Sequence, residues 1–178
     1  NSRFTAGGMR VTYNDVDDLR AIMPELSDTE VANADFGSYT RETFYDDLFR
    51  ITQYRTDPDL AETLIENSHA TLCWMRSKGV RFLPMYGRQA FKVDGKFRFW
   101  GGLTVEAWGG GEGLVSSLHQ AAADNHIEVL HECRALRLET ADHGVTGVVV
   151  KHQGTTRTLP AKAVILACGG FEANPEMR

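Results

Sequence analysis

Apolar residues recur along this chain at two spacings, and the change from one to the other marks its organisation. From about Thr40 to Tyr54, Phe44, Leu48 and Ile51 fall at helical intervals, which predicts a helix with one buried face. A second helix is predicted from Asp57-Pro58, an N-cap residue followed by proline at the first helical position. Its apolar face runs through Ala61, Ile65, Ser68, Leu72 and Met75, Cys73 and Trp74 are expected in the core, and Gly79 ends it. Residues 15–35 are acidic and weakly patterned, so a surface loop with short helical pieces is expected there.

Beyond Gly79 the spacing shortens. Val80-Arg81-Phe82 reads as extended chain, and Asp94-Gly95 reads as a hairpin turn within the aromatic and glycine-rich stretch 86–108. Gly109 to Gly113 opens a helix with an apolar stripe of Leu114, Leu118, Ala121 and Ala122, ending near Asn125. An α/β pattern follows. Ile127 to Leu130 is predicted as a strand, extended by Ala135 to Leu138 after an irregular middle. Val145 to Val150 and Thr156 to Leu159 predict an antiparallel ribbon turning at Gly154. Last, the wholly apolar Ala163 to Ala167 precedes Cys168-Gly169-Gly170, and such a run is expected inside a parallel sheet, covered on both faces.

The 178 residues, 42% of them hydrophobic, suffice for one domain or one domain plus a small lobe. A net charge of −5, with arginines scattered among acids, excludes the clustered basic surface that nucleic acid requires. Three widely spaced cysteines, without CxxC or CxxxH spacing, argue against a disulfide framework or a zinc site, and a reducing, cytoplasmic setting is expected. No apolar run approaches the roughly 20 residues that span a bilayer. The opening Asn1-Ser2-Arg3-Phe4 has neither the apolar core of a signal peptide nor a starting methionine, so the chain is expected to begin within a longer protein.

Two segments carry candidate chemistry. Ala167, Cys168 and Gly169 would lie at the carboxyl edge of a parallel sheet, where ligands of α/β folds bind against bare backbone. A plain tight turn after a core strand explains the same residues. The opening stretch from Asn1 and Ser2 to Gly7 and Gly8 offers an amide, hydroxyls and unhindered backbone N–H groups, the donors that a pyrophosphate or a flavin edge needs. Its plainer reading is a polar terminus with a turn. Gly109 to Gly113 lacks the dinucleotide fingerprint spacing and no strand leads into it, so a hinge at a lobe boundary is expected rather than an anion site. The six histidines show no ligand spacing, and Ser116-Ser117 with His119 lacks a nucleophile elbow and an orienting acid.

Taken in order, these pieces resemble a known family. Asn-Ser followed by Ala-Gly-Gly-Met, a helix ending in Trp-x-x-x-x-Gly-Val-x-Phe, Gly-Gly-Gly-x-Gly-Leu, a Val-x-Gly-Val ribbon and Ala-Lys-Ala-Val-Ile-Leu-Ala-Cys-Gly-Gly-Phe are similar to the FAD-binding domain of the fumarate reductase and succinate dehydrogenase flavoproteins. Met85 to Phe91 and Phe171 to Arg178 look most like tricarballylate dehydrogenase within that superfamily. The resemblance implies an α/β fold: part of a Rossmann-like FAD-binding domain with an antiparallel ribbon and an inserted helical segment. Residues 1–14 and 109–178 would be parts of that domain, and 15–108 its helical and aromatic insertion. It further implies FAD as cofactor, with Asn1, Ser2, Gly7 and Gly8 lining the pyrophosphate and isoalloxazine. Ala135 would meet the adenine through its backbone, and Ala167, Cys168 and Gly169 would lie near the ribose and adenine. The family's GxGxxG turn would precede Asn1, and its substrate-clamping Arg and His and proton-delivering Arg would follow Arg178, so no catalytic residue is carried over. The implied activity of the parent is hydride transfer between flavin N5 and a carbon beside a carboxylate, on a small tricarballylate-like or fumarate/succinate-like substrate. Other superfamily members (ketosteroid dehydrogenase, L-aspartate oxidase) and a non-catalytic module that binds no flavin stay open. Self-association is expected through an unpaired sheet edge.

Overall fold

Short polar side chains decide where the helices begin. Asp15 caps the first by accepting from the backbone N–H groups of Asp17 and Asp18, and Ser27 forms a reciprocal capping box with Glu30 on the second. Thr40 caps the third, and Asp57 accepts from the N–H groups of Asp59 and Leu60 ahead of the fourth, with Pro58 at its first position. Each cap satisfies orphan donors and contributes on the order of 1 kcal/mol.

A computed structural model describes residues 2–170 and 174–176; Asn1 and residues 171–173 and 177–178 lie outside the described set. Along the chain run β1 (Gly8–Arg10), α1 (Val16–Ile22), α2 (Asp28–Asn33), β2 (Ala34–Asp35), α3 (Arg41–Ile51), α4 (Pro58–Ser77), β3 (Phe82–Pro84), α5 (Tyr86–Gln89), β4 (Ala90–Val93), β5 (Lys96–Phe99), β6 (Thr104–Ala107) and α6 (Gly110–Asp124). The meander β7 (Cys133–Ala141), β8 (Gly144–His152) and β9 (Thr155–Pro160) follows. Two compact units result, residues 1–127 and 128–178.

In the first unit β6 is the middle strand of an antiparallel sheet, with β1 on one side and β3 on the other. A second three-stranded sheet has the order β2-β5-β4, and its β4–β5 hairpin turns where Asp94 and Gly95 both take positive φ. Val11, Tyr13, Leu19, Ile22, Ile65, Leu103 and Val105 form the sealed centre. Tyr13 ties the layers together: its hydroxyl donates to Phe36 O at 2.7 Å and accepts from Leu103 N–H at 2.8 Å. The helix predictions at 40–54 and 57–79 correspond to α3 and α4, with Ala61, Ile65 and Leu72 buried as one face.

Three expectations for this unit are corrected. Residues 15–35 hold the expected short helices, α1 and α2, but are no surface loop: Leu19, Ile22, Met23 and Leu26 keep three- and four-residue spacing beneath the acidic side chains and enter the core. Trp74 is 57% exposed because it lies on the opposite side of its helix from the buried Ala61, Ile65 and Leu72, and Ile51, 71% exposed, is the last residue of α3. The run Gly109 to Gly113 lies inside the first unit and seats the N-terminal turn, as described below.

In the second unit β8 is central and β7 and β9 are its edges, with Val149 and Val150 buried. The ribbon turning at Gly154 forms as predicted, and β7 joins it as a third strand. Two predicted strands do not form. Residues 127–130 precede β7 without pairing, and residues 163–167 join no sheet, with Ile165 91% exposed. An apolar run becomes a buried strand only where neighbouring strands satisfy its N–H and C=O groups, and no described strand lies alongside. The observed class is mixed α/β with three small, mainly antiparallel sheets.

Candidate functional site

The N-terminal segment is shaped by hydrogen bonds within the six residues Ser2 to Gly7. Ser2–Phe4 forms a single 3-10 turn, closed by Thr5 N–H donating to Ser2 O at 3.2 Å. The Thr5 hydroxyl donates to Ser2 O at 2.8 Å and accepts from Gly7 N–H at 3.1 Å. The main chain then enters β1 at Gly8, an edge strand whose outer side pairs with no other strand among the described residues.

This turn rests directly on the start of α6. Gly111 N–H donates to Thr5 O at 2.9 Å, and a Cβ on Gly111 would stand 2.1 Å from Ser2 O. A Cβ on Gly7, whose φ is +70°, would stand 2.8 Å from the carbonyl carbon of Gly110. Backbone therefore packs on backbone, which only glycine permits at these positions. The glycine-rich run is a seat for the turn, not a hinge. Above it, Arg3 Nη2 pairs with Glu112 Oε1 at 2.5 Å.

Of the residues the sequence nominated, Ser2 and Gly8 are exposed and Gly7 is buried against α6; the structure brings all three into this one segment. Asn1 lies outside the described residues. The thioether end of Met85 fills the space where a Gly8 Cβ would be, and Met85 itself is buried. Ala135 lies in the second unit, exposed on edge strand β7, opposite Val150 and beside a bulge. Ala167, Cys168 and Gly169 belong to the exposed chain after β9; Gly169 has φ +75° and open space where a Cβ would be. They share the second unit with Ala135 but enter no ladder with it.

Elsewhere, a polar cavity of about 310 Å³ is lined by Thr12, Asn14, Asp18, Arg41, Glu66 and His69. Thr40 and Glu42 line it too, so three carboxylates face one cation: Arg41 pairs with Glu66, Asp18 accepts from Asn14, and a His69 ring nitrogen lies 2.9 Å from Asp18 O. Cys73 lies 3.8 Å from the other ring nitrogen, and burial, with a smaller effect of the Asp18 charge, pushes its thiol up. It is therefore protonated near neutral pH, which disfavours the thiolate that a nucleophile needs. Among the described residues no group of three or more His, Cys, Asp or Glu is placed to hold a metal, and no helix is long and apolar enough to cross a membrane.

Sequence reasoning missed Arg3, Glu112 and Met85. The first two stand 109 positions apart and Met85 reaches Gly8 across 77, so no local pattern joins them. The one available signal was the density of glycines at 109–113 and 7–8, which marks close backbone approach on both sides.

The chain belongs to the FAD binding domain family, whose pattern residues 29–178 match. It is 30% identical over 76% of its length to a probable fumarate reductase of Shewanella frigidimarina, covering 23% of that protein. It is 27% identical over 99% of its length to a fumarate reductase (cytochrome) of the same species, covering 28% of it. A urocanate reductase of Eggerthella lenta is 30% identical over 68% of the chain, which covers 20% of that protein. The chain thus spans about a quarter of the length of these relatives.

FAD is the cofactor of this family. The residues present fit such a group in each unit separately. The exposed Ser2 hydroxyl and the unpaired edge at Gly8 suit a polar ligand laid along the turn, and the bare backbone at Gly169 and the free edge of β7 suit contacts to main chain.

Proposed function

We propose that this chain is the FAD-cradling part of an oxidoreductase that transfers a hydride between flavin N5 and a carbon next to a carboxylate. The observation that carries the reading is the family match over residues 29–178, joined to relatives named for reducing fumarate and urocanate. Fumarate and urocanate share a C=C bond conjugated to a carboxylate, so the substrate class is a small unsaturated or saturated carboxylate, fumarate/succinate-like or tricarballylate-like. When bound, FAD accepts or donates the hydride, while a proton is exchanged at the adjacent carbon, interconverting CH–CH and C=C.

The residues of this chain bind and orient. Asn1, Ser2, Gly7 and Gly8 line the pyrophosphate and isoalloxazine. Ala135 offers backbone to the adenine, and Ala167, Cys168 and Gly169 offer small side chains and main chain near the ribose. The seat on α6 supports this assignment, because it fixes the turn before any ligand arrives and so lowers the ordering cost of binding. Residues 1–14 and 109–178 would then belong to a Rossmann-like FAD domain, and 15–108 to its insertion. No residue here is assigned to proton transfer or to clamping carboxylates.

The test of the activity uses the longer protein to which the chain belongs. Anaerobic mixing of its reduced flavin with fumarate, urocanate or the unsaturated tricarboxylate should return the oxidised flavin spectrum with at least one of them. Reoxidation by none of these, with oxygen still effective, would refute the substrate class.

A further inference from the structure

Arg3 stands in the middle of the Ser2–Phe4 turn, and its guanidinium reaches over the seat to the Glu112 carboxylate on the first turn of α6. Both side chains are largely exposed, 61% and 65%. An exposed pair of this kind contributes little to stability and exchanges partners readily. The backbone beneath it is held by Gly111 N–H on Thr5 O and by the Thr5 hydroxyl, so the turn does not depend on the ion pair for its shape. The only long cation of the segment is thereby placed on a prebuilt turn and engaged by a weak, replaceable partner.

We propose that Glu112 and the FAD pyrophosphate compete for the Arg3 guanidinium, so that Arg3 is a cofactor-binding residue and Glu112 a brake on affinity. This rests on the reading of Ser2 to Gly8 as the pyrophosphate-lining segment. The chemistry favours the exchange: a guanidinium forks onto two phosphate oxygens, and a pyrophosphate carries more negative charge than one carboxylate.

A purely structural ion pair makes a different prediction. Removing either partner would then loosen the turn and weaken cofactor binding in the same direction. Competition predicts opposite directions for the two partners, and that difference in sign is the test.

Flavin-fluorescence titrations with FAD at about 0.1 M salt compare the unmodified chain with Glu112→Gln, Arg3→Gln and the double variant; tryptophan-monitored melting checks the fold. Glu112→Gln should bind FAD about two- to five-fold more tightly, as release of an exposed ion pair allows. Arg3→Gln should bind about ten-fold more weakly, and the double variant should match Arg3→Gln, since the gain requires a freed guanidinium. Melting midpoints should stay close to the parent's in all three. Weaker binding by both single variants would overturn competition in favour of a brace. A Glu112→Gln gain that persists without Arg3 would overturn it in favour of simple repulsion. Unchanged binding in both would remove the inference and leave the cradle standing, whereas no FAD binding by any of the four proteins would remove the cradle reading and the inference together.

Discussion

Gly111→Ala tests the seat most sharply. The Gly111 backbone does not have positive φ, so alanine meets no conformational objection there; the conflict is purely through space. The new Cβ would lie 2.1 Å from Ser2 O, 2.7 Å from Thr5 O and 2.8 Å from Thr5 Oγ1, where ordinary contact begins near 3.4 Å. The turn must therefore lift by more than an ångström. Forcing a methyl into a filled site costs about 1–3 kcal/mol. Lifting the turn also strains the Gly111 N–H to Thr5 O bond, worth about 0.5–1.5 kcal/mol. Against this stands alanine's helix preference over glycine, at most about 1 kcal/mol and less at a helix start. The net expectation is a loss of roughly 1–3 kcal/mol. Trp74, Trp100 and Trp108 all lie within residues 1–127, so urea unfolding followed by tryptophan fluorescence reports on this unit alone. Gly87→Ala is the control: it has no positive φ and open space around the added carbon, and should change stability by less than about 0.5 kcal/mol. If Gly111→Ala unfolded at the same urea concentration as Gly87→Ala, the backbone-on-backbone seat would be wrong.

Two further outcomes follow from the core. Ile65 is fully buried on α4, so Ile65→Ala should cost about 2–5 kcal/mol in the same urea assay, and a loss below 1 kcal/mol would contradict the packing of α4. Tyr39 donates its hydroxyl to Asp47 Oδ2 at 2.9 Å, and burial first, then that hydrogen bond, push it up to about 12. A phenol held above its unfolded value of about 10 adds stability that is complete below pH 10 and is lost as pH rises from 10 towards 12. Thermal midpoints should fall across that window and fall less in Tyr39→Phe. Tyr13, raised in the same direction by burial, should leave a residual slope, and an identical slope in the variant would refute the assignment to Tyr39.

Much of the first unit was legible because its signals are local. Asp57-Pro58, Gly79 and the stripe 61-65-68-72 specify α4, and Asp94-Gly95 specifies its hairpin, since caps and turns act within four residues. The stretch 15–35 misled because seven acids dilute the mean hydropathy while Leu19, Ile22, Met23 and Leu26 still keep one face. Ala163 to Ala167 misled for the opposite reason. Its composition is that of a buried strand, but strand formation requires a partner, which a one-dimensional pattern cannot supply. At the candidate site the glycines 7, 8 and 109–113 were visible as punctuation. What they touch was not, because Gly7 meets Gly110, and Arg3 meets Glu112, across more than a hundred residues.

Whether this chain cradles FAD is read out by titrating the purified protein with FAD and following the quenching of flavin fluorescence. Saturable quenching at micromolar FAD is expected, accompanied by a shifted flavin absorption band, with loss of both in Gly7→Val. Quenching that never saturates, or that is unchanged by Gly7→Val, would contradict the cradle reading.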